Sequence, residues 1–252
     1  MSGKDGGTFA RRDVLKTLAT VASAPLSPNL AGVTAATAAA TIVAAQAEPA
    51  PAATSTAPVA GYQSLGPDEA AFVEALVNVM CPADQFTPNG VDCGLAIFID
   101  RQLASGFGRG EHLYMQGPWR QGKPQLGYQL PLTPEQFFKA GIAAASAACR
   151  TRFGKDFDAL SAADADAFLQ DLAKGKVTDA RVPLAQWFNG LVYPLFTQAC
   201  FADPIYGGNA DKVFWRMIGY PGLPATHARD MVEFRGKHYP GAKDPKSIAD
   251  FS

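Results

Sequence analysis

The sequence predicts a mainly α-helical domain, irregular in outline, with long loops rich in glycine, proline and aromatic residues. An export leader and a flexible linker are expected to precede it. Apolar residues recur every three or four positions in several segments, which is the spacing of one buried helix face. Capping signals precede several of these segments, and no stretch alternates for long in the two-residue period of a strand. These observations favour helices packed on one another.

Residues 1–47 have the layout of a twin-arginine signal peptide. The adjacent pair Arg11 and Arg12 precedes an uncharged, mildly apolar stretch at 17–47, which closes with an Ala-Gln-Ala triplet of the kind that signal peptidase cleaves. A basic helix start without a targeting role is one alternative. An uncleaved anchor is another, although prolines interrupt the stretch and its hydrophobicity is weak for a spanning helix.

The composition after the leader limits the kind of protein. Without residues 1–47 the 252-residue chain has 205 residues, enough for one domain with a substantial core. This part carries 18 basic and 21 acidic side chains, a net charge of about −3, and it contains no basic block. The composition therefore argues against nucleic acid as a partner. No apolar run in it is long enough to span a membrane.

Four cysteines raise the question of disulfide bonds. An exported protein meets an oxidising compartment, where an even number of cysteines favours bridges. Cys81 and Cys93 flank a short turn-rich loop and form the first expected pair, which leaves Cys149 and Cys200 as the second. Four buried thiols, or a bridge to another subunit, are the alternatives.

The helical domain is expected at 65–222, after a flexible linker. Residues 48–64 form this linker, since they are rich in proline, alanine, serine and threonine. The first helix begins at Pro67, because proline suits the first turn of a helix. It ends at Cys81, since Pro82 lacks a backbone donor and disfavours helix before it.

A second helix is predicted to follow Asp92, which can cap it. Apolar residues at 95–103 supply its buried side, and Asp100 and Arg101 are expected to point outward. A glycine-rich run at 106–110 ends the helix. This run is not a dinucleotide fingerprint, because it follows a helix and not a strand.

The loop at 106–132 is unusually long for a compact domain. It interleaves glycine and proline with aromatic residues such as Tyr114, Trp119 and Tyr128. Loops of this length usually have a function or form an interface.

Capping signals predict two further helices. Thr133 and Gln136 can form a capping box around Pro134, so a helix is expected from there to about residue 152. Ser161 is expected to cap the next helix, which ends near residue 175.

The last third of the chain is expected to contain the most apolar helix and a short one. The apolar helix covers 184–201 and is interrupted at Pro194. The segment at 201–209 then contains the turn-forming pairs Asp-Pro and Gly-Gly-Asn, and a short helix is predicted at 211–217. Residues 223–252 show little periodicity and are predicted to be an irregular tail.

No catalytic constellation has suitable spacing. His112, His227 and His238 have no partner at metal-ligand spacing and are interpreted as surface or hydrogen-bonded residues. The chain lacks a Cys-x-x-Cys pair for a cluster, a c-type haem or a redox dithiol. The predicted site residues are accordingly neither catalytic nor metal- or cofactor-binding.

Several motifs together are specific for one protein family. The motifs are Cys81-Pro82-Ala83-Asp84, Asp92-Cys93-Gly94, Ile99-Asp100-Arg101-Gln102-Leu103, Tyr114-Met115-Gln116-Gly117-Pro118-Trp119, Gln125-Leu126-Gly127-Tyr128-Gln129, Phe201-Ala202-Asp203-Pro204-Ile205-Tyr206-Gly207-Gly208-Asn209 and Met217-Ile218-Gly219-Tyr220-Pro221-Gly222. With these motifs the chain resembles the gluconate 2-dehydrogenase subunit 3 family, the small or gamma subunit of membrane-bound flavin-dependent gluconate 2-dehydrogenase. The resemblance covers the leader and about residues 65–222.

The resemblance implies a non-catalytic subunit of a three-part enzyme on the periplasmic face of the cytoplasmic membrane. A large flavoprotein subunit would bind FAD, and a multihaem cytochrome c subunit would anchor the complex and carry electrons. The small subunit would escort the flavoprotein through twin-arginine export and stabilise it. The family brings no catalytic residue to this chain. Related escorts serve dehydrogenases of gluconate, 2-ketogluconate, fructose and other sugars.

Two functional hypotheses follow. In the first, the matched loops contact the flavoprotein, and Trp119 and Tyr206 are the expected anchors because buried aromatic residues dominate interface energetics. The expected interface residues are Tyr114, Trp119, Tyr128, Asp203, Tyr206 and Tyr220. In the second, the chain is a free-standing exported enzyme or ligand-binding protein whose pocket is built from the loops at 106–132 and 201–222.

Overall fold

The computed structural model of the chain describes residues 61–120, 122–223 and 227–251. The predicted leader, with Arg11 and Arg12, and the linker up to residue 60 lie outside the described residues. The predicted fold class is confirmed, because the described residues form helices and contain no strand. The helices are α1 (Pro67–Met80), α2 (Leu95–Ala104), α3 (Pro134–Phe153), α4 (Ala162–Ala173), α5 (Leu184–Trp187), α6 (Tyr193–Phe201), α7 (Val213–Ile218) and α8 (Ala228–Glu233).

The first helix has the predicted ends. Pro67 occupies its first turn, and Gly66 is the N-cap. The Glu69 side chain accepts a hydrogen bond from the Gly66 backbone nitrogen at 2.9 Å, so one donor at the helix start is satisfied locally. The helix stops at Cys81, in front of Pro82, as the chemistry of proline requires.

The second helix begins differently from the prediction. Gly94, in the left-handed conformation at φ 76°, is the N-cap in place of Asp92. Asp92 instead exchanges hydrogen bonds with Asn89 in the preceding turn, at 2.7 and 2.9 Å. A Cβ atom on Gly94 would overlap the carbonyl oxygen of Gly207. A contact with a distant segment therefore decides how this helix starts.

The expectation that Asp100 points outward is wrong. Its side chain is buried in α2, with 1% of its surface exposed. The carboxylate accepts hydrogen bonds from the backbone nitrogens of Gln63, Ser64 and Leu65, at 2.7, 2.9 and 2.9 Å. A buried carboxylate is tolerable when such donors replace water. Asp100 thereby fastens the chain that enters α1 to the side of α2.

The capping signals of α3 and α4 act as predicted. Thr133 Oγ1 accepts from the Gln136 backbone nitrogen at 3.3 Å, and Gln136 Oε1 accepts from the Thr133 backbone nitrogen at 3.0 Å. Ser161 Oγ accepts from the Asp164 backbone nitrogen at 3.2 Å and starts α4. Gly154, at φ 67°, ends α3.

The predicted apolar helix at 184–201 is divided by a π-helical turn. α5 passes into this turn at Phe188–Val192, and α6 follows with Pro194 in its first turn. Proline lacks a backbone donor and its ring crowds the carbonyl four residues earlier, so a wider turn ahead of it relieves the conflict. The interruption was predicted at Pro194 and lies in the five residues before α6.

Trp187 lies fully buried in the centre of the core. Its Nε1 donates to the carbonyl oxygen of Phe138 at 3.1 Å, which satisfies its one polar group. The indole ring occupies the space beside Gly141, where a Cβ atom would overlap it. Phe72 and Phe138 pack against the ring with centroid distances of 6.4 and 6.1 Å. The lack of a side chain on Gly141 of α3 therefore allows the close approach of α5.

The predicted disulfides are not present among the described residues, and the four cysteines are buried. Cys81 and Cys93 do flank one loop, but their Sγ atoms both lie near the carbonyl oxygen of Pro88, at 3.8 and 3.5 Å. Both thiols can thus donate to the same backbone acceptor. Cys149 lies on α3 and Cys200 on α6.

The described residues at 227–251 contain more order than the predicted irregular tail suggests. They include α8 and short 3₁₀ turns at Pro240–Lys243 and Ile248–Phe251. Gly222 and Lys246 form an isolated parallel bridge, in which Leu223 donates to the Lys246 carbonyl at 3.0 Å. Among the described residues, we find no helix that is both long and apolar enough to cross a bilayer.

Candidate partner interface

The segment at 201–209 is organised by Asp203. Its Oδ1 accepts from the Ile205 backbone nitrogen at 3.1 Å and caps the 3₁₀ turn Pro204–Tyr206. Its Oδ2 accepts from the Ile248 backbone nitrogen at 2.9 Å. Asp203 is 9% exposed, so both oxygens are used inside the protein. Asp203 was expected at the partner interface, and the structure shows that it links the turn at 204–206 to the C-terminal segment around Ile248.

The Gly-Gly-Asn motif that follows requires close backbone contacts. A Cβ atom on Gly208 would overlap the carbonyl oxygen of Ala199 in α6. Asn209 is fully buried in a left-handed conformation, at φ 49°. Its amide donates to the Ala202 carbonyl at 3.1 Å, and its Oδ1 accepts from the Phe214 backbone nitrogen at 3.0 Å. The motif thereby connects the end of α6 to the start of α7.

A shallow apolar groove of about 370 Å³ lies beside this motif. Its lining residues are Phe201, Asp203, Trp215, Ile218, Tyr220, Leu223 and Ile248. Trp215 Nε1 donates to the Phe201 carbonyl at 2.8 Å, and its ring meets that of Tyr220 edge-on at 5.2 Å. Because the indole nitrogen and the Asp203 carboxylate are both bonded within the protein, the groove offers mainly apolar contact.

The other expected interface residues lie in different surroundings. Tyr114 is 78% exposed, and Trp119 is half-buried. Tyr128 is anchored to the core: its ring packs on Phe137 at 4.3 Å, its hydroxyl donates to the Leu132 carbonyl at 3.1 Å, and burial raises its pKa. Tyr206 is 49% exposed and is the last residue of the 3₁₀ turn that Asp203 caps.

The structure does not assemble these residues into one pocket. Asp203 and Tyr220 share the groove, whereas none of its described lining residues comes from the loop at 106–132. That loop starts with a turn in which Gly108 lies so close to α2 that a Cβ atom would overlap the Leu103 carbonyl oxygen. The alternative hypothesis of a pocket built jointly from both loops therefore has no support in the geometry of this groove.

A second cavity, of about 510 Å³, was missed by the sequence reasoning. It lies between Gly219, Pro221 and the segment at 227–242. Asp230 Oδ2 accepts from the Tyr239 hydroxyl at 3.1 Å and lies 3.3 Å from His227 Nδ1. The interactions with His227 and Tyr239 lower the pKa of Asp230.

The i, i+3 spacing of His227 and Asp230 in the sequence was a usable signal for this cluster. His227 Nε2 is buried, with no hydrogen-bond partner among the described residues. No group of three or more histidine, cysteine or carboxylate side chains in the described part of the chain is arranged to hold a metal ion.

Comparison with known proteins identifies the family of the helical domain, though not of the segment at 227–242. The model of the family described as gluconate 2-dehydrogenase subunit 3 matches residues 67–222, which is more than half of the chain. Neither a curated protein nor a solved structure matches the chain significantly. The matched residues run from the first residue of α1 to Gly222, and include the loop at 106–132 and the Asp203 segment. The chain therefore belongs to the gluconate 2-dehydrogenase subunit 3 family.

Proposed function

We propose that the chain is the non-catalytic small subunit of a periplasmic, membrane-bound, FAD-dependent gluconate 2-dehydrogenase complex. The family match over residues 67–222 is the observation that carries this proposal. In the proposed complex a large flavoprotein subunit holds the FAD, and a multihaem cytochrome c subunit holds haem c and attaches the assembly to the cytoplasmic membrane. This chain escorts the flavoprotein through twin-arginine export and stabilises it.

Exposed apolar side chains support a role in binding a partner. Ile205, Tyr206 and Ile218 are 41, 49 and 55% exposed, and they lie in or next to the segments that line the apolar groove. Tyr114 and Leu126, at 78 and 67%, extend from the long loop. Aromatic residues on such surfaces bury a large area at low conformational cost and are common anchors of protein interfaces.

The first test measures binding to the flavoprotein subunit. We expect Tyr206→Ala and Trp119→Ala each to weaken the association about tenfold or more, because each removes an aromatic anchor. Phe86→Ala is the matched control, since Phe86 is a 62% exposed aromatic residue of another loop, at 82–92. If both variants bind the flavoprotein as tightly as the control does, these two residues are not the anchors.

The second test addresses export. With Arg11→Lys and Arg12→Lys combined, we expect the flavoprotein to remain in the cytoplasm, because it would travel on this chain's leader. The readout is the distribution of the flavoprotein between cytoplasmic and periplasmic fractions. The matched control is Lys4→Arg, which retains the charge of the leader outside the arginine pair. Export of the flavoprotein with the double variant would refute the escort role while leaving the subunit role standing.

A further inference from the structure

The C-terminal segment at 227–243 presents exposed apolar side chains next to basic ones. Met231 and Val232, on α8, are 66 and 78% exposed. Arg229, Arg235 and Lys237 lie within a few residues of them in the sequence, and all three are exposed. Single exposed apolar side chains are common, but adjacent ones with a polar rim form the kind of patch that marks an interaction site.

The orientation of α8 follows from the hydrogen bonds on its inner side. Asp230 accepts from the Tyr239 hydroxyl at 3.1 Å, and the same hydroxyl lies 3.2 Å from His227 Nδ1. The ring of Phe234 meets that of Tyr239 edge-on at 5.3 Å. Because positions 227, 230 and 234 lie along one side of a helix, these contacts turn the side chain of Val232 to the opposite side. Met231 lies next to the contacting side, where it lines the cavity while 66% of its surface remains exposed.

The segment is also positively charged. It contains four basic residues, Arg229, Arg235, Lys237 and Lys243, against two acidic ones, so its formal charge is +2 with neutral histidines. Of the acidic residues, Asp230 is engaged by Tyr239, and Glu233 lies 3.9 Å from Arg229. Among the described residues no ion pair involves Arg235, Lys237 or Lys243.

Some of these apolar and basic groups share one concave surface, whereas Val232 and Arg235 lie outside it. Met231, Phe234, Lys237 and His238 all line the cavity of about 510 Å³ described above. A ligand that enters it contacts an apolar wall and a cationic rim at once. An anionic lipid is complementary to such a surface, because its acyl chains suit the apolar wall and its negatively charged head group suits the cationic rim.

We propose that residues 227–243 bind the surface of an anionic lipid bilayer. Met231 and Val232 insert at the head-group boundary, and Arg235 and Lys237 contact the lipid phosphates. An acidic protein surface would satisfy the charges, but it would require a matching pocket for two protruding apolar side chains, whereas a bilayer accepts them without one. The proposal is independent of the subunit role, because its residues lie outside the part matched to the family.

The test is co-sedimentation of the full chain with lipid vesicles. We expect stronger binding to vesicles that contain phosphatidylglycerol than to vesicles of phosphatidylcholine alone. The double variant Arg235→Gln/Lys237→Gln is expected to lower the partition coefficient about 30-fold on the anionic vesicles, since each basic residue near such a surface contributes about fivefold. High salt is expected to weaken the binding as well, because it screens exposed charges.

A second variant tests the apolar contribution. Met231→Ser/Val232→Ser is expected to lower binding about tenfold or more, through the lost burial of apolar surface. Neither double variant disturbs buried residues, so far-UV circular dichroism should remain unchanged. The leader is common to all variants, and therefore its own lipid binding cancels in the comparison.

Matched controls decide the result. Lys123→Gln/Lys155→Gln removes two exposed charges elsewhere, and Phe86→Ser removes an exposed apolar side chain elsewhere. The proposal holds if both controls bind anionic vesicles like the unmodified chain while the segment variants do not. It is overturned if the segment variants and controls bind equally. It is also overturned if the segment variants lose only the association with a purified protein partner, which would identify an acidic protein contact.

Discussion

The carboxylate of Asp203 accepts a hydrogen bond from the backbone nitrogen of Ile248 across 45 residues of sequence, at 2.9 Å. One residue lies inside the part of the chain matched to the family, and the other lies in the segment that follows it. The Lys212–Asp250 ion pair, at 2.5 Å, and the bridge between Gly222 and Lys246 join the same two parts. The C-terminal segment is therefore attached to the domain at several points.

Asp203→Asn is expected to loosen this attachment. The substitution replaces one carboxylate oxygen by an NH₂ group, which cannot accept the hydrogen bond of the backbone nitrogen opposite it. Leaving such a buried donor unsatisfied costs about 1–3 kcal/mol. Amide hydrogen exchange in residues 246–251 should then become about tenfold faster, as expected for easier local opening. Asp211→Asn, at an exposed position in the same region, is the control. Equal exchange in both variants would contradict a role of Asp203 in holding the tail.

Asp100→Asn is expected to destabilise the whole domain. The carboxylate accepts from three backbone donors, and the amide group of the substituted side chain would oppose the donor of Gln63. We expect the free energy of unfolding to fall by about 2–3 kcal/mol, as measured by urea denaturation. Asp158→Asn, at an exposed site, should change it by less than about 0.5 kcal/mol. A stability loss that is no larger at Asp100 would show that the three hydrogen bonds contribute little.

Gly141→Ala tests the close approach of α3 and α5. Alanine is the better helix former, yet its Cβ atom would overlap the indole of Trp187. Overpacking of this kind costs about 1–3 kcal/mol, so thermal unfolding should occur at a lower temperature. At Gly190 the nearest atom to an added Cβ is Gln186 Cγ at 3.8 Å, and Gly190→Ala should be neutral or slightly stabilising. The same response at both sites would mean that the core adjusts around the new methyl group.

Cys149 is expected to make the domain less stable at alkaline pH. Burial raises the pKa of its thiol to about 12, with the nearby Asp156 acting in the same direction and Arg152 opposing it. In the unfolded chain the thiol ionises near pH 8.5, so above about that pH the unfolded state releases a proton that the folded state retains. The free energy of unfolding should therefore decline as the pH rises from about 9 towards 12.

Urea unfolding at about pH 8 and about pH 10 measures this effect. Cys149→Ala should show a smaller decline between the two pH values, because it removes the ionising group. In the native protein, alkylation of Cys149 by iodoacetamide at the lower pH should also be slow, since the thiolate is the reactive form. Rapid native alkylation, or an equal decline in both proteins, would show that the thiol is more accessible than its burial implies.

The sequence alone predicted most of the helices and their ends, because the signals for them are local. Thr133 and Ser161 each accept a hydrogen bond from a backbone nitrogen three residues later, and Pro67 has no backbone N–H group that would need a partner. Such local interactions do not depend on the rest of the fold. The family could also be predicted, since the motifs at 114–129 and 201–222 are specific. Pro194 likewise indicated the break in the apolar helix, although not the π-helical form of the turn.

Contacts between distant segments determined the features that the sequence did not predict. Gly94 replaces Asp92 as a cap because Gly207 packs against it, and Asp100 is buried because the chain before α1 supplies donors to it. Asp203 joins the C-terminal segment to the domain because Ile248, 45 residues later, supplies a backbone donor to it. Local patterns were enough to place the helices and to indicate which family the chain resembles. Which polar residues are buried and which apolar ones remain exposed followed only from the three-dimensional packing, because burial depends on contacts between segments that no local pattern records.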